Sequence, residues 1–321
     1  MSIPWRRVIR RILSMLGTLL GVAVFVFIML RAIPGNQITA GLGTEAAALT
    51  PEQRAALEAY YGIDKPLVAQ FFNWLGNVLT GNLGFSSRSQ VSVLTLTLNA
   101  LPVTFELAVL SILLALLIGI PLGMLSASKP DSARDAVGQL IGLAGLSVPS
   151  FLLGSALLTI LSAKFGFNPN GEAYATLIED PVRNLRQMLL PSLVLGFGIA
   201  APIMRTTRTA LLEVRSQDFV RTARAKGVGM RRLQVRHILG NALVPIVTIT
   251  GLQFGYLLGG AVVVEQIFSL PGIGRQVLIG IQGKEYAVVQ STVLIIALSF
   301  VLVNLLTDIL YRIIDPRVRA E

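Results

Sequence analysis

Few side chains in this 321-residue sequence could do covalent chemistry. There is no cysteine, which excludes disulfides, thiol nucleophiles, zinc–thiolate sites and iron–sulfur clusters. The single histidine, His237, cannot provide paired imidazoles for a metal site. Neither His-Glu-x-x-His nor Gly-x-x-x-x-Gly-Lys-Ser/Thr occurs, so the chain lacks a zincin site and a phosphate cradle for ATP. A serine nucleophile inside an apolar stretch would have no base beside it. No cofactor and no metal are expected. What remains is polar chemistry of two kinds. Glu106, Gln253 and Asn304 lie in or beside long apolar stretches, where a polar group bonds a neighbouring helix or meets a solute. The segment from Arg205 to His237 carries nine basic and two acidic residues.

The elements that position these residues are membrane helices. The chain is 53% hydrophobic and only 14% charged, against about 25% charged in soluble domains. Six uncharged windows are long enough to cross about 30 Å of hydrocarbon, which takes about 20 residues of helix. They are Ile12–Leu30, Leu107–Ser128, Ala136–Ala163, Gln187–Met204, Ile238–Val264 and Tyr286–Thr307. Buried helices of a soluble protein are shorter and amphipathic. The first window follows a basic front at Arg6, Arg7, Arg10 and Arg11 as a signal peptide does. Its apolar run is too long for one and no small-residue cleavage site follows, so it reads as a retained helix. Glu106 then reads either as an interfacial acid at a helix N-terminus or as a group facing the solute pathway.

Orientation follows from Lys and Arg. With the N-terminus inside, 18 of the 27 basic residues fall in cytoplasmic segments: four before the first span, Lys129 and Arg134, nine from Arg205 to Arg236, and three after the last span. The positive-inside rule therefore places both termini in the cytoplasm, and the net charge of +10 suits a membrane protein rather than a nucleic-acid partner. The first external loop is long enough to fold. Within it Thr50-Pro51-Glu52-Gln53 reads as a capping box with proline at the first helical position, and Gly62 ends that helix. Glycines at four-residue spacing (Gly119 and Gly123; Gly138 and Gly142; Gly251, Gly255 and Gly259) favour close helix packing, within the subunit or along a pore or subunit interface.

The basic segment has helical grammar. Asp218 is placed to cap a short helix over Phe219 to Lys226, and Gly227 follows where a left-handed stop belongs. A second short helix is expected over Met230 to His237. Val220, Ala223 and Gly227 stack one turn apart, and the small residues among them leave room for another backbone. An amphipathic segment resting on anionic lipid is the competing reading.

Asp218-Phe219-Val220-Arg221-Thr222-Ala223-Arg224-Ala225-Lys226-Gly227, followed by Arg236-His237-Ile238-Leu239-Gly240-Asn241-Ala242-Leu243-Val244-Pro245, resembles the EAA loop of ABC importer permeases. It is most similar to the dipeptide/oligopeptide/nickel permease family, and to the first, B-type permease subunit within it. Ala223, Gly227 and Leu239 fall on that family's Ala, Gly and Leu. Arg221, Thr222 and Gly240 depart from the general EAA pattern. Arg31-Ala32-Ile33-Pro34-Gly35, Tyr61 to Leu67, Gln70, Trp74, Gly81 to Gly84, Pro271 to Gly274, Tyr286, Val288 to Gln290, Asn304, Asp308, Tyr311 and Asp315-Pro316-Arg317 extend the resemblance over nearly the whole chain.

The resemblance implies an all-α integral membrane protein with a type I ABC importer-like fold. Its parts would be a cytoplasmic N-terminus and first helix (1–30), an external loop with short helices (31–100), a five-helix core (101–314) containing the coupling loop (205–242), and a cytoplasmic tail (315–321). In such a permease the EAA loop sits in a groove of a cytoplasmic ATPase. Asp218, Val220, Arg221, Ala223, Arg224, Lys226, Gly227 and Leu239 would form that coupling surface. The implied partners are a second homologous permease, two ATPase subunits and an extracytoplasmic solute-binding protein, in a bacterial inner membrane. The implied cargo is di- or oligopeptides, with nickel, glutathione or another small solute as the alternative. An ion-coupled carrier is the rival class, and the absence of charge within the six windows argues against proton coupling.

Overall fold

Helices form wherever the sequence is continuously apolar or properly capped. The computed structural model describes residues 5–33, 37–42, 46–229, 232–233 and 238–314. The expected second loop helix, with His237, lies almost wholly outside the described residues, as do Pro34 to Asn36 and the tail from Asp315. The helices are α1 (Trp5–Ala32), α2 (Gln37–Leu42), α3 (Pro51–Tyr61), α4 (Leu67–Leu79), α5 (Val93–Ser128), α6 (Ala133–Ser147), α7 (Ser150–Phe165), α8 (Pro181–Arg215), α9 (Asp218–Ala225), α10 (Gly240–Gly260), α11 (Val262–Ile267), α12 (Ile273–Gln282) and α13 (Tyr286–Ile314). The strands β1 (Phe85–Ser86) and β2 (Val91–Ser92) make one antiparallel hairpin.

Among the described residues, five helices, α1, α5, α8, α10 and α13, are long and apolar enough to cross a membrane. The third window of the sequence is not one straight helix. It is the pair α6 and α7, bent by 94°, which together qualify as a sixth, broken span. The cause is Pro149, which lacks an N–H and disfavours helical geometry at the residue before it. Val148 is accordingly extended, at φ −86° and ψ 116°. Helix α8 likewise outruns its window: Arg205, Arg208 and Arg215 belong to the continuous helix rather than to the loop.

The chain divides into two compact units. The first combines residues 1–102 with 271–301. In it, Thr50 accepts from the Gln53 amide while the Gln53 side chain accepts from the Thr50 amide, completing the capping box, and Gly62 closes α3. Arg31 donates from Nε and Nη2 to Gln70 Oε1 at 3.0 and 2.9 Å and stacks on Phe27. The hairpin is pinned by Glu285, which accepts from the Ser86 and Ser87 hydroxyls and the Arg88 amide. Distant motif pieces meet here: Leu83 and Val288 share a small core, and the Ser291 hydroxyl donates to the Leu83 carbonyl. Gly84, at φ +91°, lies so close to Ala287 that any Cβ would come within 2.8 Å of its methyl.

The second unit combines residues 103–270 with 302–321. Its core is built around α8, with Met188, Val194, Leu195, Ile199 and Ile203 packed among Leu107, Ile112, Leu257 and Phe268. Glycines set the contacts. A Cβ on Gly119 or Gly123 would strike backbone oxygens of α8 at 2.8 Å, and one on Gly145 would reach the Phe197 carbonyl at 3.0 Å. Gly251 of α10 abuts Thr307 of α13, at 2.3 Å from such a Cβ, whereas Gly259 faces open space. Gly119, Gly123, Gly145 and Gly251 therefore pack helices within the chain, as small residues do in membranes.

Candidate coupling loop and solute pathway

The loop after α8 begins with two bends tied by the Ser216 and Gln217 amides to Glu213 and Val214. Arg215 Nη1 donates to the Ala127 carbonyl at 2.5 Å, fastening the end of α8 to the end of α5. Helix α9 then starts at Asp218. The cap position falls on Gln217 and makes no side-chain bond, so Asp218 is the first helical residue rather than the expected cap. Its carboxylate still favours the positive end of the helix. It also lies 3.8 Å from Arg221, but both side chains are almost fully exposed, so that pair adds little stability. The helix closes through the Lys226, Gly227 and Val228 amides, which donate to Thr222, Arg224 and Ala223. Gly227 is left-handed at φ +73°, as a helix stop requires.

Packing divides the loop residues into two sets. Val220, 1% exposed, sits in a cluster with Ala127 of α5, Ala210, Leu211 and Val214 of α8, Leu233, Ile238, and Ala242 and Ile246 of α10. Ala223 and Leu239 pack half-buried against the same cluster. Val220 and Ala223 thus seat α9 on the ends of three spans. Asp218, Phe219, Arg221, Thr222, Arg224, Lys226 and Gly227 are exposed. A Cβ on Gly227 would meet nothing within 4 Å. The outward face is therefore basic with one aromatic, Phe219. Periodicity groups Val220 with Gly227, and only tertiary packing shows that Val220 points inward.

Beside this loop is a polar clasp that the sequence reading missed. Asp135 of α6 accepts two bonds from Arg208 of α8, Nε at 2.8 Å and Nη2 at 2.6 Å. It accepts further bonds from the Ser126 hydroxyl, the Gln139 amide and the Asp131 backbone. Asp135 stands one residue before the third window and Arg208 four residues after the fourth, so neither lies in an apolar stretch. Their signal was their position, a carboxylate and a guanidinium at the ends of neighbouring spans.

Of the candidate pathway residues, Glu106 belongs to a polar cluster outside the loop region. Its Oε2 accepts from the Tyr174 hydroxyl at 3.1 Å and from Asn184 Nδ2 at 3.3 Å. Asn184 also donates to the Ala175 carbonyl, and Gln187 bonds the Ala173 and Ala175 backbone. Burial, and then the adjacent Glu106 carboxylate, push the Tyr174 phenol up. Gln253 and Asn304 are half-buried, two and three residues from the Gly251–Thr307 crossing. Neither makes a side-chain hydrogen bond among the described residues, and neither bonds Glu106. Phe254, beside Gln253, meets Phe105 edge-on at 5.5 Å. Glu265, just past the fifth window, was also missed: it is fully buried and accepts from the Thr104 hydroxyl at 2.6 Å.

Long apolar helices joined by close glycine contacts, and a short basic helix seated on their ends, define a multi-pass membrane permease. Residues 119–320 match the family described as binding-protein-dependent transport system inner membrane component, and residues 5–108 match its N-terminal counterpart. The chain belongs to this family, the inner-membrane permease components of ABC importers, and is not itself the catalytic component. It is 40% identical, over 98% of each chain, to the glutathione transport system permease protein GsiC of Pectobacterium atrosepticum. It is 34% identical, again over 98% of each, to the dipeptide transport system permease protein DppB of Escherichia coli strain K12. In fold it resembles a chain of the MetNI methionine ABC transporter in an inward-facing conformation. There the TM-score is 0.54 and identity 18%, over 72% of this chain and all of the other.

Proposed function

We propose that the chain is the transmembrane permease of an ATP-driven importer of short peptides, glutathione among them, delivered by an extracytoplasmic binding protein. It pairs with a second homologous permease and two cytoplasmic ATPase subunits, and both of its termini are cytoplasmic. The segment 205–242 couples ATP hydrolysis to the spans. Val220, Ala223 and Leu239 root the loop, while Asp218, Arg221, Arg224, Lys226 and Gly227 meet the ATPase groove. Glu106, Gln253 and Asn304 line the solute pathway. The observation that carries this reading is the seating of α9: one face is held on α5, α8 and α10, and the other is uncovered. A helix so held passes force from a partner directly to three spans. The names of the two relatives, a glutathione and a dipeptide permease, support the peptide class.

Gly227→Val tests the coupling role. A β-branched residue at φ +73° is strained and projects into the partner rather than into this chain. Gly229→Ala, at an open position without that backbone constraint, is the control. In the reconstituted complex, Gly227→Val should lose peptide uptake and retention of the ATPase subunits, and Gly229→Ala should keep both. Full uptake and assembly by Gly227→Val would overturn the coupling role. Uptake of neither labelled dipeptide nor glutathione by the wild-type complex would overturn the substrate class.

A further inference from the structure

The first unit contains a cavity of about 700 Å³ that the coupling and pathway reading leaves unused. That volume lies within the range of about 300–1,000 Å³ typical of small-ligand sites. Its wall comes from the end of α1, from α3 and α4, from the chain just before and within the hairpin, and from the start of α13. We propose that this cavity binds the carboxylate-bearing end of a short peptide.

The wall seeks acceptors. Gln290, 3% exposed, has an Nε2 with no hydrogen-bond partner among the described residues, and the indole Nε1 of Trp74 is unpartnered in the same way. Buried N–H groups left without acceptors are uncommon, and two in one wall mark a place where something is to be accepted. The charge agrees. Arg31 and Lys65 line the cavity, with the Arg31 guanidinium held in place by Gln70. Glu285, the one acidic residue in the wall among the described residues, already accepts from three hairpin donors, so its charge is largely satisfied. Asn73 and Asn77 of α4 add amides able to donate to and accept from a peptide bond. A carboxylate against Arg31 and Lys65, with carbonyls toward Trp74 and Gln290, matches this set. An amine-only or purely apolar solute does not.

The choice of a peptide probe rests on the importer reading, so binding and uptake are measured separately. The purified transporter, without its binding protein, is equilibrated with labelled dialanine and, in parallel, with dialanine amide. The free acid should bind saturably and the amide about tenfold more weakly, the loss expected for one charge-assisted hydrogen bond. Gln290→Met and Trp74→Phe should each weaken the acid by a similar factor. Lys65→Glu, at an exposed position that does not threaten folding, should weaken the acid but not the cationic amide. Equal binding of acid and amide, or binding indifferent to Lys65→Glu, overturns the proposal. Dipeptide uptake in vesicles with no such binding refutes the cavity alone. Carboxylate binding here with no peptide uptake refutes the importer's substrate class alone.

Discussion

Val220→Ala isolates the seating of α9 from its outward face. Val220 is 1% exposed inside a cluster drawn from α5, α8 and α10. The substitution removes two methyl groups, at about 0.8 kcal/mol each for lost burial. Incomplete collapse of the resulting void adds a few tenths of a kcal/mol. The sum is about 2 kcal/mol, or about a thirtyfold rise in the undocked population of α9. Because α9 has only eight residues and is held through few side chains, the change should appear as local opening. Hydrogen exchange of the purified complex should show the amides of α9 exchanging about thirtyfold faster, with α8 and α10 unchanged. Under the proposed coupling role, transport per ATP hydrolysed should also fall, because the helix offered to the ATPase has come loose from the spans. Arg221→Ala, whose side chain is 82% exposed, should leave that exchange within error. Unchanged exchange in Val220→Ala, or equal acceleration in Arg221→Ala, would refute the seating argument.

Gly251→Val should cripple assembly of the chain, since its Cβ would lie 2.3 Å from Thr307, whereas Gly259→Ala meets open space and should behave as wild type in expression and detergent stability. Asp135→Asn and Arg208→Gln should each lower the thermal midpoint, and the double variant should be no worse than the worse single one, because no unpaired charge remains. Additive losses would show that the two do not act as a pair. In this cysteine-free chain, Tyr60→Cys should react with an impermeant reagent in intact cells and Ser216→Cys only in opened membranes. Labelling of both from outside would overturn the six-span arrangement, and the swapped pattern would reverse the orientation.

Local signals were the legible ones. The capping box at Thr50 and Gln53, and the left-handed stops at Gly62 and Gly227, depend on residues within one turn, and each appears in the structure. The spans were legible because burying many apolar side chains in lipid outweighs other preferences. Hydropathy does not register backbone geometry, however, so Val148-Pro149 passed as mid-helix although it bends the third span by 94°. Charges at the window edges were also misjudged. Asp135, Arg208 and Glu265 lie just outside the apolar windows, yet each is bonded across helices far apart in sequence. The inward direction of Val220 was equally hidden, because it depends on where α5 and α10 end relative to α9.

The length of α8 has a mechanical consequence. Its 35 residues make a rod of about 50 Å, at 1.5 Å per residue, against about 30 Å of hydrocarbon. One end carries Asn184, bonded to Glu106, and the other runs into the seated loop helix. Tilting a rod of that length by about 5° swings its tip by about 4 Å, more than the rise of two helical residues. Pro191 and Pro202 each remove a backbone bond within it, so flexure concentrates at two defined joints while the segments between them stay stiff. Under the proposed coupling role, a push on the loop helix therefore reaches the far cluster as rotation of jointed levers. Substitutions that restore the missing backbone bonds at residues 191 and 202 would stiffen the joints and shorten the stroke without touching the solute or the partner.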